Sequence, residues 1–151
     1  MGYIQDNLMP NEKVLFLAKI HWKVYLRGIV LLLMALILIG IKAVSIILAL
    51  VGIYSLVTAF IFMRTSELAI TSKRVIAKFG LISRVTIELN HNQVESLRVT
   101  QGAIDRVLNA GTILIQGTGG NTTPIPSISN PLRFRKEYFN IIESSKKEDK
   151  I

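Results

Sequence analysis

"AVSIILALVGIYSLVTAFIFM", Ala43 to Met63, runs for 21 residues without a charge. As an α-helix it would extend about 31 Å, enough to cross a hydrocarbon core of roughly 30 Å. It predicts a transmembrane helix, and that reading sets the class of the whole chain. Just before it lies "GIVLLLMALILIGI", Gly28 to Ile41. Alone this run covers about 21 Å; extended back to Val24 it covers about 27 Å, with Arg27 snorkelling to the interface along its own aliphatic stem. Lys42 separates the two runs. At the centre of a spanning helix a lysine would cost roughly 2.5 to 3.5 kcal/mol, so the favourable placement is in a turn at the far interface. Residues 24–63 thus read as a two-helix transmembrane hairpin. A signal peptide is the competing reading of the first run, since Ala43 and Ser45 form a small-x-small pair. The segment ahead of it is too long for an n-region, and the second run would still span. "MGYIQD" has Asp6 where a myristoylation signal needs Ser or Thr.

Composition agrees with a chain that partly leaves water. Half of its 151 residues are hydrophobic, and its mean hydropathy is +0.46. The absence of cysteine excludes disulfide frameworks, thiol catalysis and cysteine-based zinc sites. A net charge of +8 favours anionic partners. Lys13, Lys19, Lys23 and Arg27 precede the hairpin, Arg64, Lys73, Arg74 and Lys78 follow it, and only Lys42 lies between. By the positive-inside rule both termini face the cytoplasm, which predicts a multi-pass inner-membrane protein. Trp22, Tyr25, Phe60 and Phe62 cluster at the cytoplasmic end as an aromatic belt would; with Arg27, Lys42 and Arg64 they form the expected membrane-interface set.

From Arg64 the pattern changes to short alternating runs, the signature of antiparallel strands. "SELAIT", "KRVIAKFG", "LISRVTIEL" and "QVESLRVTQ" follow one another closely. In the third, Leu81, Ser83, Val85, Ile87 and Leu89 share the side expected to be buried, and Gly80 marks the turn before it. "GAIDRVLNAG" predicts a short helix with Ile104, Val107 and Leu108 on one face and Gly111 as its stop. "TILIQ" resumes the strands. Near the end, Asn130 is a candidate N-cap before Pro131, and Phe134, Tyr138, Ile141 and Ile142, with Leu132 and Phe139 nearby, form an apolar stripe. The charged residues 146–151 are expected to fray.

"QGTGGNTTPIP", Gln116 to Pro126, is the stretch that looks most like chemistry. It lacks the third glycine of a dinucleotide fingerprint and the helix that must follow, because Pro124 and Pro126 bar one. No lysine lies between Lys78 and Lys136, so there is no P-loop. The expectation is a β-turn in which Gly119 and Gly120 supply positive φ. Asn121-Thr122-Thr123 fits a glycosylation sequon that the cytoplasmic placement leaves idle. His21 beside Trp22 and His91 in "NHNQ" are expected to be interfacial and solvated, not metal ligands. Glu67, Glu88, Glu95 and Asp105 are scattered singly, and no nucleophile elbow or H-E-x-x-H occurs. The chain is therefore read as a non-enzyme, without cofactor, metal or small-molecule substrate.

Strands, then one helix packed against them, after a membrane hairpin: in this arrangement the chain resembles the bacterial pleckstrin-homology-like (PH) domain family, in its members with two transmembrane helices ahead of the domain. The resemblance rests on "LMPNEKVLFLAKIHW", on "ELAITSKRVIAKFGLISRVTIELNHNQVESLRVTQGAIDRVLNAGTILIQGTGG" and on "ISNPLRFRK". It implies an α+β membrane protein: the hairpin, then a seven-stranded, strongly bent antiparallel sheet or barrel capped by a C-terminal helix at the cytoplasmic face. The expected division is an N-terminal segment over 1–23, the hairpin over 24–63, the PH-like domain over 64–144 and a charged tail over 145–151. Roles the family implies are scaffolding, lipid-proximal binding and envelope stress tolerance. Inositol-phosphate binding in eukaryotic relatives uses a basic motif in an early hairpin, from which the spacing of Lys73, Arg74, Lys78 and Arg84 departs. These four are nevertheless the candidate lipid-binding residues, since each basic group near an anionic surface is worth roughly 1 kcal/mol.

The expected function is a membrane-anchored binding and scaffolding module whose partners are membrane lipids and a protein or a second copy. Gly28, Gly40 and Gly52 would permit close helix packing. The alternative, a small subunit of a transport or translocation assembly, calls for polar groups facing a path, and only Ser45, Tyr54, Ser55 and Thr58 are available, without a mid-membrane charge. Nucleic-acid binding is disfavoured because the basic residues are not interleaved with stacking aromatics.

Overall fold

The computed structural model describes residues 3–79 and 85–148. In chain order these form α1 (Tyr3–Asp6), β1 (Val14–Ala18), α2 (Leu26–Ile37), α3 (Lys42–Thr65), β2 (Glu67–Thr71), β3 (Arg74–Phe79), β4 (Val85–Asn90), β5 (Val94–Thr100), α4 (Ala103–Leu108), β6 (Ala110–Gly117), β7 (Thr122–Ser129) and α5 (Pro131–Glu148). The Gly80 turn, Leu81, Ser83 and the candidate Arg84 lie outside the described residues.

The seven strands divide into two antiparallel sheets, β1-β2-β3-β4 and β5-β6-β7. The break falls at a short 3-10 turn, His91–Gln93, between β4 and β5. The α+β class and the capping helix agree with expectation; the single bent sheet is resolved into two. β1 comes from the segment before the helix pair and joins β2 at Phe16↔Ile70 and Ala18↔Leu68. Ile20 then bridges to Ile128 of β7. Residues 1–23, set apart in the sequence division, therefore contribute to both sheets.

Strand alternation explains the core. Leu68, Ile70, Val75 and Ala77 of the first sheet meet Leu97, Ile113, Ile115, Ile125 and Ile128 of the second, with Phe134 and Tyr138 of α5. The intervening Ala69 and Ile76 point the other way and pack with Ile4 of α1. That second covering makes β2 buried on both faces, hence its continuous apolar run. α1 is fixed there by Glu67, whose carboxylate oxygens accept the Tyr3 and Ile4 N–H groups at 3.0 and 3.1 Å. In β4, Ile87 and Leu89 pack on the core as expected, but Val85 at the strand's outer end is exposed. On α5, Leu132 and Phe139 also lie outside the core. The helix runs through Glu148, beyond the point where fraying was expected.

Two apolar helices pack against each other away from the sheets. Gly28 of α2 lies under Leu56, and Gly52 of α3 lies under Leu32, so each glycine admits a leucine from its partner. Gly40 has open space around it. α3 has 24 residues, and its most apolar stretch averages a hydropathy of 2.5 with 11% of it buried. Among the described residues it alone is long and apolar enough to cross a membrane. The sequence reading of two spanning helices departs from the structure here. A 3-10 turn, Trp22–Tyr25, precedes α2, and the 12-residue α2 covers only about 18 Å. Lys42 opens α3 and is not in the preceding turn.

Candidate functional site

The base of the helix pair is where the expected interface residues come together. α3 passes into β2 with only Ser66 between them. The Tyr25 hydroxyl donates to Met63 Sδ at 3.6 Å. Phe62 stacks on Phe79 of β3, with centroids 6.5 Å apart and planes 10° from parallel. The Arg64 guanidinium lies 5.2 Å from the centre of the Phe60 ring. Val24, Arg27, Ser55, Thr58, Ala59 and Phe62 line an open groove of about 400 Å³ along the pair. Lys42 is at the opposite end of α3, about 33 Å from Arg64 along the helix axis. Three hydroxyls bond within the helix, Ser45 to the Lys42 carbonyl, Thr58 to the Ser55 carbonyl and Thr65 to the Ile61 carbonyl. These hydroxyls are thus satisfied by the backbone of their own helix.

A second tie at this base escaped sequence reasoning. Lys23 Nζ meets Asp105 Oδ1 of α4 at 2.6 Å. The hydrogen bond from Lys23 holds the Asp105 carboxyl below its usual range. The partners are 82 positions apart, and neither sits in a local pattern that marks a pair. α4 ends at Asn109, in the left-handed region at φ 55°, and not at Gly111. Gly111 is instead a close-packing position in β6, where a Cβ would meet Gln101 and Pro131 within 2.9 Å.

The three described basic candidates do not form one patch. Lys73 and Arg74 stand at the β2–β3 turn, Lys78 stands near the other end of β3, and Arg84 is outside the described residues. Arg74 is only 5% exposed. Its Nε donates to Glu12 Oε1 and its Nη2 to Glu12 Oε2, both at 3.0 Å. Its Nη1 donates to Glu88, and Nη2 also reaches the Asn7 carbonyl at 3.1 Å. Glu12 further accepts the Thr71 hydroxyl at 2.7 Å and the Met9 N–H at 2.6 Å. Burial alone would raise the Glu12 carboxyl; the hydrogen bonds from Arg74, Thr71 and Met9 outweigh it and hold the group at about 2. The same Glu12 hydrogen bond raises the Arg74 guanidinium. A buried, doubly paired arginine has no free face for a headgroup, so Arg74 leaves the lipid-binding set. Lys73 donates to the Pro10 carbonyl at 2.9 Å, and Lys78 sits 4.6 Å from the centre of the Tyr3 ring. Both hold the N-terminal segment against the sheet.

Comparison with family models decides the kinship: residues 15–141 match the model described as bacterial PH domain. The chain belongs to the bacterial PH domain family. Searches of curated proteins and of solved structures returned no match. The matched stretch begins in β1 and ends in α5, so this bacterial PH domain includes the strand ahead of the helix pair and the pair itself.

The remaining candidates of this bacterial PH domain are structural. Gly117 to Gly120 close the β6–β7 hairpin, with the Gly120 N–H bonded to the Gly117 carbonyl at 3.0 Å. Gly120 alone of the two has positive φ, at 72°; Gly119 has ordinary φ and open space around it. His21 is buried, and its Nδ1 accepts the Lys23 N–H at 3.1 Å, capping the 3-10 turn. His91 Nε2 lies 2.9 Å from the Thr71 carbonyl, and its ring packs 5.7 Å from Tyr138. Both histidines are therefore packed where solvated or interfacial positions were expected. Among the described residues no group of three metal-ligating side chains converges.

Proposed function

We propose that this bacterial PH domain is a membrane-tethered binding and scaffolding module, held at the cytoplasmic face by its helix pair, with no catalytic role of its own. The observation that carries the reading is the exposure of α3: a 24-residue helix of mean hydropathy 2.5, only 11% buried along its most apolar stretch. An apolar surface of that extent in water is a standing aggregation hazard, whereas in lipid it is the ordinary state. α2 has only 12 residues, and the apolar residues 38–41 after it carry its path on towards the depth that α3 reaches. The aromatic and basic residues at the base of the pair then meet the headgroup region. The single residue between α3 and β2 leaves the sheets little freedom, so the domain presents a fixed face to a protein partner or to the anionic leaflet.

Alkaline carbonate extraction of cell membranes tests the tether. The full chain is expected to stay with the membrane pellet, as an integral protein does. Release into the supernatant would mean that α3 is covered by protein instead of lipid.

A further inference from the structure

Isolated exposed apolar side chains are ordinary on protein surfaces; α4 differs in where it is held. It connects β5 to β6, antiparallel neighbours already paired at Thr100↔Thr112, where a tight turn would suffice. The chain instead makes an excursion that includes the short helix Ala103–Leu108. Ile104 and Val107, one turn apart on one helix face, are 71% and 86% exposed. Between them Asp105 is clamped to Lys23 at 2.6 Å. Lys23 lies in the 3-10 turn that runs into α2, beside Trp22, itself 50% exposed. The clamp therefore holds the apolar face of α4 beside the point where the chain would enter the bilayer.

We infer that α4 is a second membrane contact: Ile104 and Val107 insert into the headgroup–acyl boundary of the leaflet that the helix pair enters, next to Trp22. The inference rests on the membrane reading above and adds a surface to it. Two contacts on one leaflet, the helix pair and α4, fix the tilt of the sheets against the membrane plane. The occupant is lipid because the Lys23–Asp105 pair ties α4 to the turn that carries the exposed Trp22 at the base of the helix pair, and because that pair shields two charges that would otherwise face the interface singly. Interfacial helices bury their apolar side by about 5 to 10 Å, a depth two branched side chains on one short helix can reach.

The chain has no cysteine, so single-cysteine variants of the full protein carry one environment-sensitive fluorophore each. Ile104→Cys, Val107→Cys, Leu50→Cys in α3 and Thr118→Cys would be reconstituted in vesicles of phosphatidylcholine and phosphatidylglycerol with spin labels at a shallow or a deep acyl position. Thr118 is exposed in the β6–β7 turn, at the other end of the sheet from α4. Because an interfacial helix sits about 5 to 10 Å into the headgroup–acyl boundary, the probes at 104 and 107 are expected to be quenched by the shallow label about twofold or more above the probe at 118, with Leu50→Cys quenched by the deep label. Quenching at 104 and 107 equal to that at 118, with Leu50→Cys still quenched, overturns the inference and leaves the tether standing. Probes at 104 and 107 shielded from aqueous iodide without lipid quenching mean that protein covers α4, which also overturns it. An unquenched Leu50→Cys removes the membrane reading and this inference together.

Discussion

At the residue scale, Arg74 shows how charge in a sequence can mislead. It stands next to Lys73 in a basic run and reads as part of a headgroup-binding hairpin, yet it is buried between Glu12 and Glu88. Nothing local announces this, because Glu12 is 62 positions away in a segment the sequence reading did not place on the sheet. Breaking a buried ion pair by removing one partner costs roughly 3 to 5 kcal/mol. Arg74→Met is accordingly expected to destabilise the protein by that order in detergent denaturation, whereas Lys73→Met should change stability by less than about 0.5 kcal/mol. The depressed Glu12 carboxyl fixes the sign of the pH dependence. Its folded value, about 2, lies below its ordinary 4.5, so the unfolded chain binds the proton first. The stabilisation is complete above pH 4.5 and is lost as pH falls towards 2. Glu12→Gln should flatten the acid limb of a stability–pH curve.

The glycine turn separates in the same way. The sequence identified "GTGGN" as a turn and assigned positive φ to both Gly119 and Gly120, of which only Gly120 has it. Gly120, at φ 72°, should lose about 1 to 2 kcal/mol on change to Val, the cost of a left-handed conformation for a side chain with a Cβ. Gly119→Val should be near neutral. Equal losses at both positions by thermal unfolding would contradict the assignment.

At the element scale, strands and helices were legible wherever a period was strong. β2 to β6 and α5 fall on the runs from which they were expected: the side chains of β4 to β6 and α5 answer to one core, while β2 and β3 also pack with Ile4 on their second face. β1 was not recognised as a strand. Its Leu15 and Leu17 are exposed while Phe16 and Ala18 pack inward, so its apolar content does not alternate. The helix pair was recognised, but the starts and ends of its helices were not, since hydropathy does not record where a 3-10 turn gives way to an α-helix. Its packing now makes a prediction that composition could not. A Cβ at Gly28 would lie 2.6 Å from Leu56, and one at Gly52 would lie 2.9 Å from Leu32, while Gly40 is open. Overpacking of this kind typically costs 1 to 3 kcal/mol, so about that loss is expected for Gly28→Val and Gly52→Val. Gly40→Val should leave the thermal transition, followed by circular dichroism in micelles, where it was.

At the scale of the whole molecule, the N-terminal segment, the helix pair and the sheets are one unit. β1 and the Ile20–Ile128 bridge close over the sheets from the far side of the helix pair, so a fragment beginning at Arg64 would lack an edge strand. Function has to be read on the full chain. The central claim is that the helix pair crosses a membrane and holds the sheets on the cytoplasmic side, and sidedness tests it most directly. Because the chain has no cysteine, Lys42→Cys and Thr118→Cys can each be treated in intact cells with a membrane-impermeant maleimide. The account predicts that Lys42→Cys reacts from outside and that Thr118→Cys reacts only after lysis; Thr118→Cys reacting in intact cells, or Lys42→Cys only after lysis, would contradict it.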